Sequence, residues 1–189
     1  DNVHKPTDEQ LMAAVKADDI SAFEALVDRY KEVVFGLARS MLRSREDAEE
    51  AAQDTFVKLF RARDQFDADR RLEPWLLRIA GNTSRDMLRR RRSDRLPLVH
   101  DDDGDALARV VADPASLGRE WTEASRLAVR HELDRLSDKL RVPLMLKYAS
   151  GLTNSQIADA LGISVSNVKV RMSRGKDLLQ ARLRERTEA

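Results

Sequence analysis

The sequence predicts an all-α protein made of two small helical domains joined by a flexible linker. Three observations carry this expectation. Apolar residues recur at three- and four-residue steps through most of the 189-residue chain, the period of an amphipathic helix rather than a strand. Ser, Thr and Asp stand just ahead of those stripes, where their side chains can satisfy the unpaired amides of a first helical turn. Aromatic residues make up only 5% and there are seven glycines, a poor supply for a β-rich fold. Charged residues reach 35%, against roughly 25% in ordinary globular chains, which suits long solvated helix faces.

The first predicted helix is "TDEQLMAAVKA", opened by Thr7 with Gln10 three residues on, a capping-box pattern. A longer helix, "ISAFEALVDRYKEVVFGLARSML", places Phe23, Leu26, Val27, Tyr30, Val33, Val34, Leu37 and Met41 on one stripe. Ser44 to Asp47 repeats the capping signal and opens "REDAEEAAQDTFVKLFRARDQF". After the break at "DADRR", Pro74 suits the first turn of "PWLLRIAGNTSRDMLRRRR", because a missing N–H costs nothing there. Trp75, Leu76, Ile79 and Ala80 are expected to pack inward. These four helices form an N-terminal domain over residues 1–95.

The segment "LPLVHDDDGDALARVVADPASLG", with two prolines, two glycines and an Asp cluster, holds no sustained stripe and is expected to be an acidic linker over 96–118. The second domain, 119–189, begins with "REWTEASRLAVRHELDRL" and "LRVPLMLKYAS". A helix is expected to begin near Pro143, since proline interrupts a helix interior.

Charge and composition exclude several functions. A net charge of +1 gives no overall field toward nucleic acid or an anionic membrane, so any such attraction has to be local. Without cysteine there is no disulfide framework and no thiolate chemistry. The first thirty residues are unlike a signal peptide, and no apolar run approaches the ~20 residues of a membrane span, so a soluble intracellular protein is expected, with no membrane insertion. His4, His100 and His131 are scattered, with no metal-ligand spacing, Gly-rich phosphate loop or nucleophile elbow. The expectation is a non-enzyme that needs no cofactor and no metal.

The local field lies near the C-terminus. In "TNSQIADALGISVSNVKVRMSRGKDLL", Thr153 caps a short helix, Gly162 makes the turn and Ser164 caps a second helix. Val165, Val168, Met172 and Leu179 are expected to face inward. Ser166, Asn167, Lys169, Arg171, Ser173, Arg174 and Lys176 occupy much of the remainder. Between Ser164 and Arg186 stand seven basic and two acidic residues. Asn and Ser near a helix start can hydrogen-bond base edges, and Lys and Arg can neutralise phosphates. The pattern predicts a DNA-binding helix-turn-helix.

"DAEEAAQDTFVKLFRA", then "WLLRIAGNTSRDMLRRRR", a linker and "GLTNSQIADALGISVSNVKVRMSRGKDLL" together resemble the extracytoplasmic-function (ECF) sigma factors of bacterial RNA polymerase. The likeness runs from about Thr7 to Leu183, in the family's order. It implies a promoter-specificity subunit that binds core polymerase, recognises promoter DNA and assists strand opening. By this resemblance Asp47, Glu50, Gln53, Asp54 and Lys58 match the surface for the clamp helices of the polymerase β′ subunit; their spacing puts Asp47, Glu50, Asp54 and Lys58 on one face. Asn82 matches the position lining a pocket for a flipped-out base of the minus-ten element, and Phe66 to Leu72 match the specificity loop above it. Phe66, Arg70 and Arg71, with Arg89 and Arg90 of the arginine run, are the further expected minus-ten contacts. The seven polar residues of the second helix of the helix-turn-helix are then expected at the minus-thirty-five element. Family members usually carry larger apolar residues where Ala51 and Ala52 stand, so different local packing is expected there. The linker would thread through the polymerase or serve as a spacer. The resemblance also implies an anti-sigma factor as a partner and work in the cytoplasm.

Overall fold

The computed structural model describes residues 6–93 and 123–188, and every regular element among them is helical. The expected linker over 96–118 lies outside the described residues. The chain divides into an N-terminal and a C-terminal compact unit.

In the N-terminal unit, α1 (Asp8–Lys16), α2 (Ile20–Met41), α3 (Arg45–Arg61), a 3₁₀ turn (Arg63–Gln65) and α4 (Leu72–Ser93) follow one another closely. Each start has a chemical cause. Thr7 and Gln10 form the reciprocal capping box, with N–H to side-chain oxygen distances of 2.9 and 3.2 Å. Asp19 caps α2 by accepting from the Ala22 amide at 3.2 Å, and Ser44 caps α3 by accepting from that of Asp47 at 3.2 Å. Helix α4 begins at Leu72, so Pro74 falls in its first turn, where no partner is lost.

Helix α2 packs against α1, α3 and α4, and α3 packs against α4. The expected stripe of α2 largely holds: Leu26, Tyr30, Val34, Leu37 and Met41 are buried, and Phe23, Val27 and Val33 are half-buried. Where the ends of α2 and α4 meet the start of α3, small side chains let the backbones approach. Ala38, Leu42, Ala48, Ala51 and Met87 form one cluster, with Phe35 and Leu88 closing its edge. That is the packing around Ala51: the small residue faces larger neighbours and leaves the interior filled. Ala52, beside it, is half-buried. Burial, a hydrogen bond to Asp8 and the Asp8 charge together push the Tyr30 hydroxyl pKa up, so the phenol stays a donor pinning α1 to α2.

The C-terminal part of the chain contains α5 (Glu123–Asp134), α6 (Asp138–Tyr148), α7 (Asn154–Leu161) and the long α8 (Val165–Glu188). Helix α6 starts five residues before Pro143, contrary to the expectation that the helix begins near the proline. Pro143 forgoes one backbone bond, yet it is buried beside Val142 and Leu144, so tertiary packing holds the helix through it. Helix α8 packs against α6 and α5. A Cβ on Gly175 would stand 2.8 Å from the Leu144 Cδ1 and 3.4 Å from the Leu140 carbonyl oxygen, so the absent side chain sets how closely α8 approaches α6. Near the far end of α8, Arg186 reaches the covered carboxylate of Glu132 at 3.5 Å, which also meets Arg135 at 3.5 Å and shares a hydrogen bond with His131 Nδ1 at 3.1 Å. Burial pushes the Glu132 pKa up, but the His131 hydrogen bond and the charges of Arg135, His131 and Arg182 outweigh it and hold the group below the ordinary glutamate range.

Candidate functional surfaces

Helix α7, its turn and α8 have the expected form. Thr153 and Gln156 make a second reciprocal capping box, at 2.7 and 3.3 Å, and Ser164 accepts from the Asn167 amide at 3.2 Å. Gly162 turns the chain at φ 66°, a conformation that costs a residue with a Cβ roughly 1–2 kcal/mol. Val168, Met172 and Leu179 are buried, as expected. Val165 is not: at 39% exposed it stands at the helix start, before the interior closes over that face.

The outward surface of α8 carries the expected residues. Ser166, Asn167, Lys169, Ser173 and Arg174 are exposed, and Arg171 and Lys176 are half-buried. Lys176 lies over the Tyr148 ring, 4.9 Å from its centroid, which holds the ammonium against the body of the unit. Arg171 Nε donates to Asn167 Oδ1 at 2.8 Å. Because guanidinium only donates, that bond assigns the Asn167 amide oxygen as the acceptor and leaves its NH₂ as the donor of an exposed side chain.

An equivalent pair stands on α4. Asn82 is exposed, and its Oδ1 accepts from Arg85 Nη1 at 2.7 Å, again leaving the amide NH₂ as the outward donor. Arg70 and Arg71 project from the preceding loop with side chains 81% and 78% exposed, and each meets a carboxylate at 3.2 Å, Asp67 and Glu73 respectively. Exposed pairs of this kind are worth at most about 1 kcal/mol, so a phosphate can displace them. Arg89 is exposed with Asp86 at 3.7 Å, and Arg90 is exposed beside it.

Two residues expected at binding surfaces are buried instead. Phe66 is 5% exposed, its ring 5.2 Å from Trp75 and its carbonyl oxygen accepting from Lys16 Nζ at 2.6 Å. It anchors the loop that presents Arg70 and Arg71 rather than reaching out of it. Asp47 is also buried, in an ion pair with Arg91 that ties the start of α3 to the end of α4. Helical spacing placed Asp47 on the same face as Glu50, but at the crowded start of α3 that face turns under α4.

The rest of the α3 face is outward. Glu50, Gln53 and Lys58 are exposed and Asp54 is half-buried, with Lys58 Nζ donating to Thr83 Oγ1 at 3.1 Å. Between them Val57 is 45% exposed, a residue the sequence analysis passed over. Val170, 48% exposed on α8, was passed over in the same way. Both could have been found by asking which residue lies opposite the buried stripe.

Among the described residues no group of three or more His, Asp or Glu could hold a metal ion, and no helix is long and apolar enough to cross a membrane.

Comparison with known proteins places this geometry. Residues 26–94 match the model of Sigma-70 region 2, and residues 126–179 match that of Sigma-70, region 4. The chain is 32% identical to the ECF RNA polymerase sigma factor SigW of Bacillus subtilis (strain 168), over 90% of this chain and 94% of that protein. Among solved structures it resembles CnrH in complex with the cytosolic domain of CnrY, at 29% identity and a TM-score of 0.65, covering 95% of this chain and 99% of the other. It also resembles the sigma factor RpoE in complex with the anti-sigma factor NepR from Bartonella quintana, at 25% identity and a TM-score of 0.58, covering 86% and 96%.

Proposed function

Because the chain belongs to the ECF RNA polymerase sigma factors, a family of promoter-recognition subunits for transcription initiation, we propose that its two outward helix faces divide that work between polymerase and DNA. The α3 face, with Glu50, Gln53, Asp54, Val57 and Lys58, meets the clamp helices of the β′ subunit. The α8 face, with Ser166, Asn167, Lys169, Arg171, Ser173, Arg174 and Lys176, enters the major groove at the minus-thirty-five element. Asn82, Arg70, Arg71, Arg89 and Arg90 act at the minus-ten element, where Asn82 donates to a base held out of the stack and the arginines hold phosphates of the opened strand. Phe66 and Asp47 support these surfaces from inside, the first by seating the loop and the second by holding the end of α4.

The observation that carries this reading is the separation of charge. The acidic α3 face lies on one compact unit and the basic α8 face on the other, with the exposed arginines of the minus-ten set on other elements of the first, in a chain whose net charge is only +1. A polymerase surface and a DNA groove are thereby addressed by different parts of one subunit. The phosphodiester chemistry stays with the polymerase, and the chain contributes binding, register and strand separation. An anti-sigma factor is the expected regulator, as in the related complex of RpoE with NepR, and the site of action is the cytoplasm.

Run-off transcription with purified bacterial core polymerase and a promoter library tests the reading directly. Sequence-specific initiation that depends on the added chain is the expected result. A chain that binds core yet directs no initiation from any promoter would instead be a mimic that sequesters sigma-binding partners.

A further inference from the structure

The centre of the α8 outward face is not one of its polar residues. At about 100° per residue, Val170 lies roughly 160–180° from Val168, Met172 and Leu179, the buried stripe. Ser166, Asn167, Ser173 and Arg174 all fall within about 60° of it on the helix circumference. A scattered exposed valine is ordinary on a protein surface. This one stands among hydroxyls, an amide and cations, with one exposed carboxylate, Asp177, two turns further along the same face. Helix stability gives no reason for it, since a β-branched side chain is a poorer helix former than Ala, Lys or Arg at an exposed position.

Resting on the reading of α8 as the groove-facing helix, we infer that Val170 reads thymine, by packing its methyl groups on the C5-methyl of a base in the upstream promoter element. Thymine is the base that presents an apolar group in the major groove, and it places an O4 acceptor beside it. The neighbouring amide agrees with that chemistry. With its oxygen held by Arg171 at 2.8 Å, Asn167 faces the groove as a donor, suited to a base-edge acceptor. Lys169 and Arg174 flank the valine and draw the phosphates of both strands toward it, so the apolar contact forms in a place the charges already favour.

Holoenzyme assembled from the full chain and bacterial core polymerase is first used to select an upstream element from a randomised duplex library. Each thymine of the winning element is then replaced singly by deoxyuridine, which lacks only the C5-methyl. The expected result is one position at which the replacement weakens binding about fourfold, the equivalent of roughly 0.8 kcal/mol for a buried methyl-sized group. The Val170→Ala holoenzyme should bind the thymine and deoxyuridine forms of that position equally. An element with no thymine, or deoxyuridine effects identical in the parent and Val170→Ala, overturns the inference while leaving the DNA-binding role of α8 intact. Failure to select any upstream element removes that role, and the inference with it.

Discussion

Helix α3 arranges Glu46, Glu50, Gln53, Asp54 and Arg61 around the exposed Val57, whereas α8 arranges Ser166, Asn167, Ser173 and Arg174 around the exposed Val170. Both faces are polar fields with one valine near the centre, and both lie opposite a buried stripe. They differ in sign: Glu46, Glu50 and Asp54 outnumber Arg61 on the first, and Lys169, Arg171 and Arg174 outnumber Asp177 on and beside the second. Protein interfaces concentrate binding in a desolvated apolar centre with a polar rim. A DNA groove calls for cations to hold the backbone and a few base-edge contacts to read it. The same helical geometry thus serves two classes of partner, and the charge around the valine selects between them.

The sharpest way to break this comparison is to reverse each field separately. Glu50→Lys with Asp54→Lys should weaken core polymerase binding by roughly a hundredfold, in the range for close interfacial charges, and leave upstream-element selectivity unchanged. Lys169→Glu with Arg174→Glu should do the opposite. Fluorescence binding to core, beside promoter competition assays with the assembled holoenzyme, checks both. A double reversal that damages both functions equally would mean the faces are not separate.

Asp47 sharpens the boundary of the acidic face. Were it a surface contact, Asp47→Ala would lower polymerase affinity and leave stability alone. Its buried pair with Arg91 implies the reverse, a loss of about 2–3 kcal/mol of stability, less than for a fully buried pair because Arg91 is partly exposed. Urea denaturation of parent and variant reads this, and polymerase affinity should survive once the folded fraction is accounted for.

On the basic side, Gly175→Val tests whether the tight approach of α6 to α8 positions the DNA-facing surface. Pushing into Leu144 should cost about 1–3 kcal/mol and reduce promoter affinity without touching a DNA-facing residue. A normal melt with normal affinity would show that the helices can move apart freely.

The smallest effect concerns Glu132. Its pKa is lowered in the folded unit, so its stabilising contribution is complete above the ordinary glutamate value of about 4.3 and is lost as pH falls through the folded value. Parent and Glu132→Gln should therefore differ in Tm at pH 6, and the difference should shrink toward pH 3. A difference that stays constant over this range would show that the carboxylate contributes nothing through its charge.

The sequence by itself determined the helices, their caps and the signs of the two faces. Thr7 with Gln10, Asn167 beside the Ser164 cap, and the α2 stripe are local in the chain, and local patterns act within one or two helical turns. The order of the motifs along the sequence already points to the ECF sigma factors, the family to which the chain belongs. Tertiary structure alone decided which members of each pattern face solvent. Asp47 and Glu50 share a helix face in sequence, but α4 covers only the first, and Phe66 sits in a loop whose burial depends on Trp75 and Lys16 from other elements. Pro143 continues a helix because its neighbours bury it, against its own preference. The valines were visible as letters, yet their meaning depends on lying opposite a buried stripe, and burial is a property of what packs against a helix rather than of the helix itself.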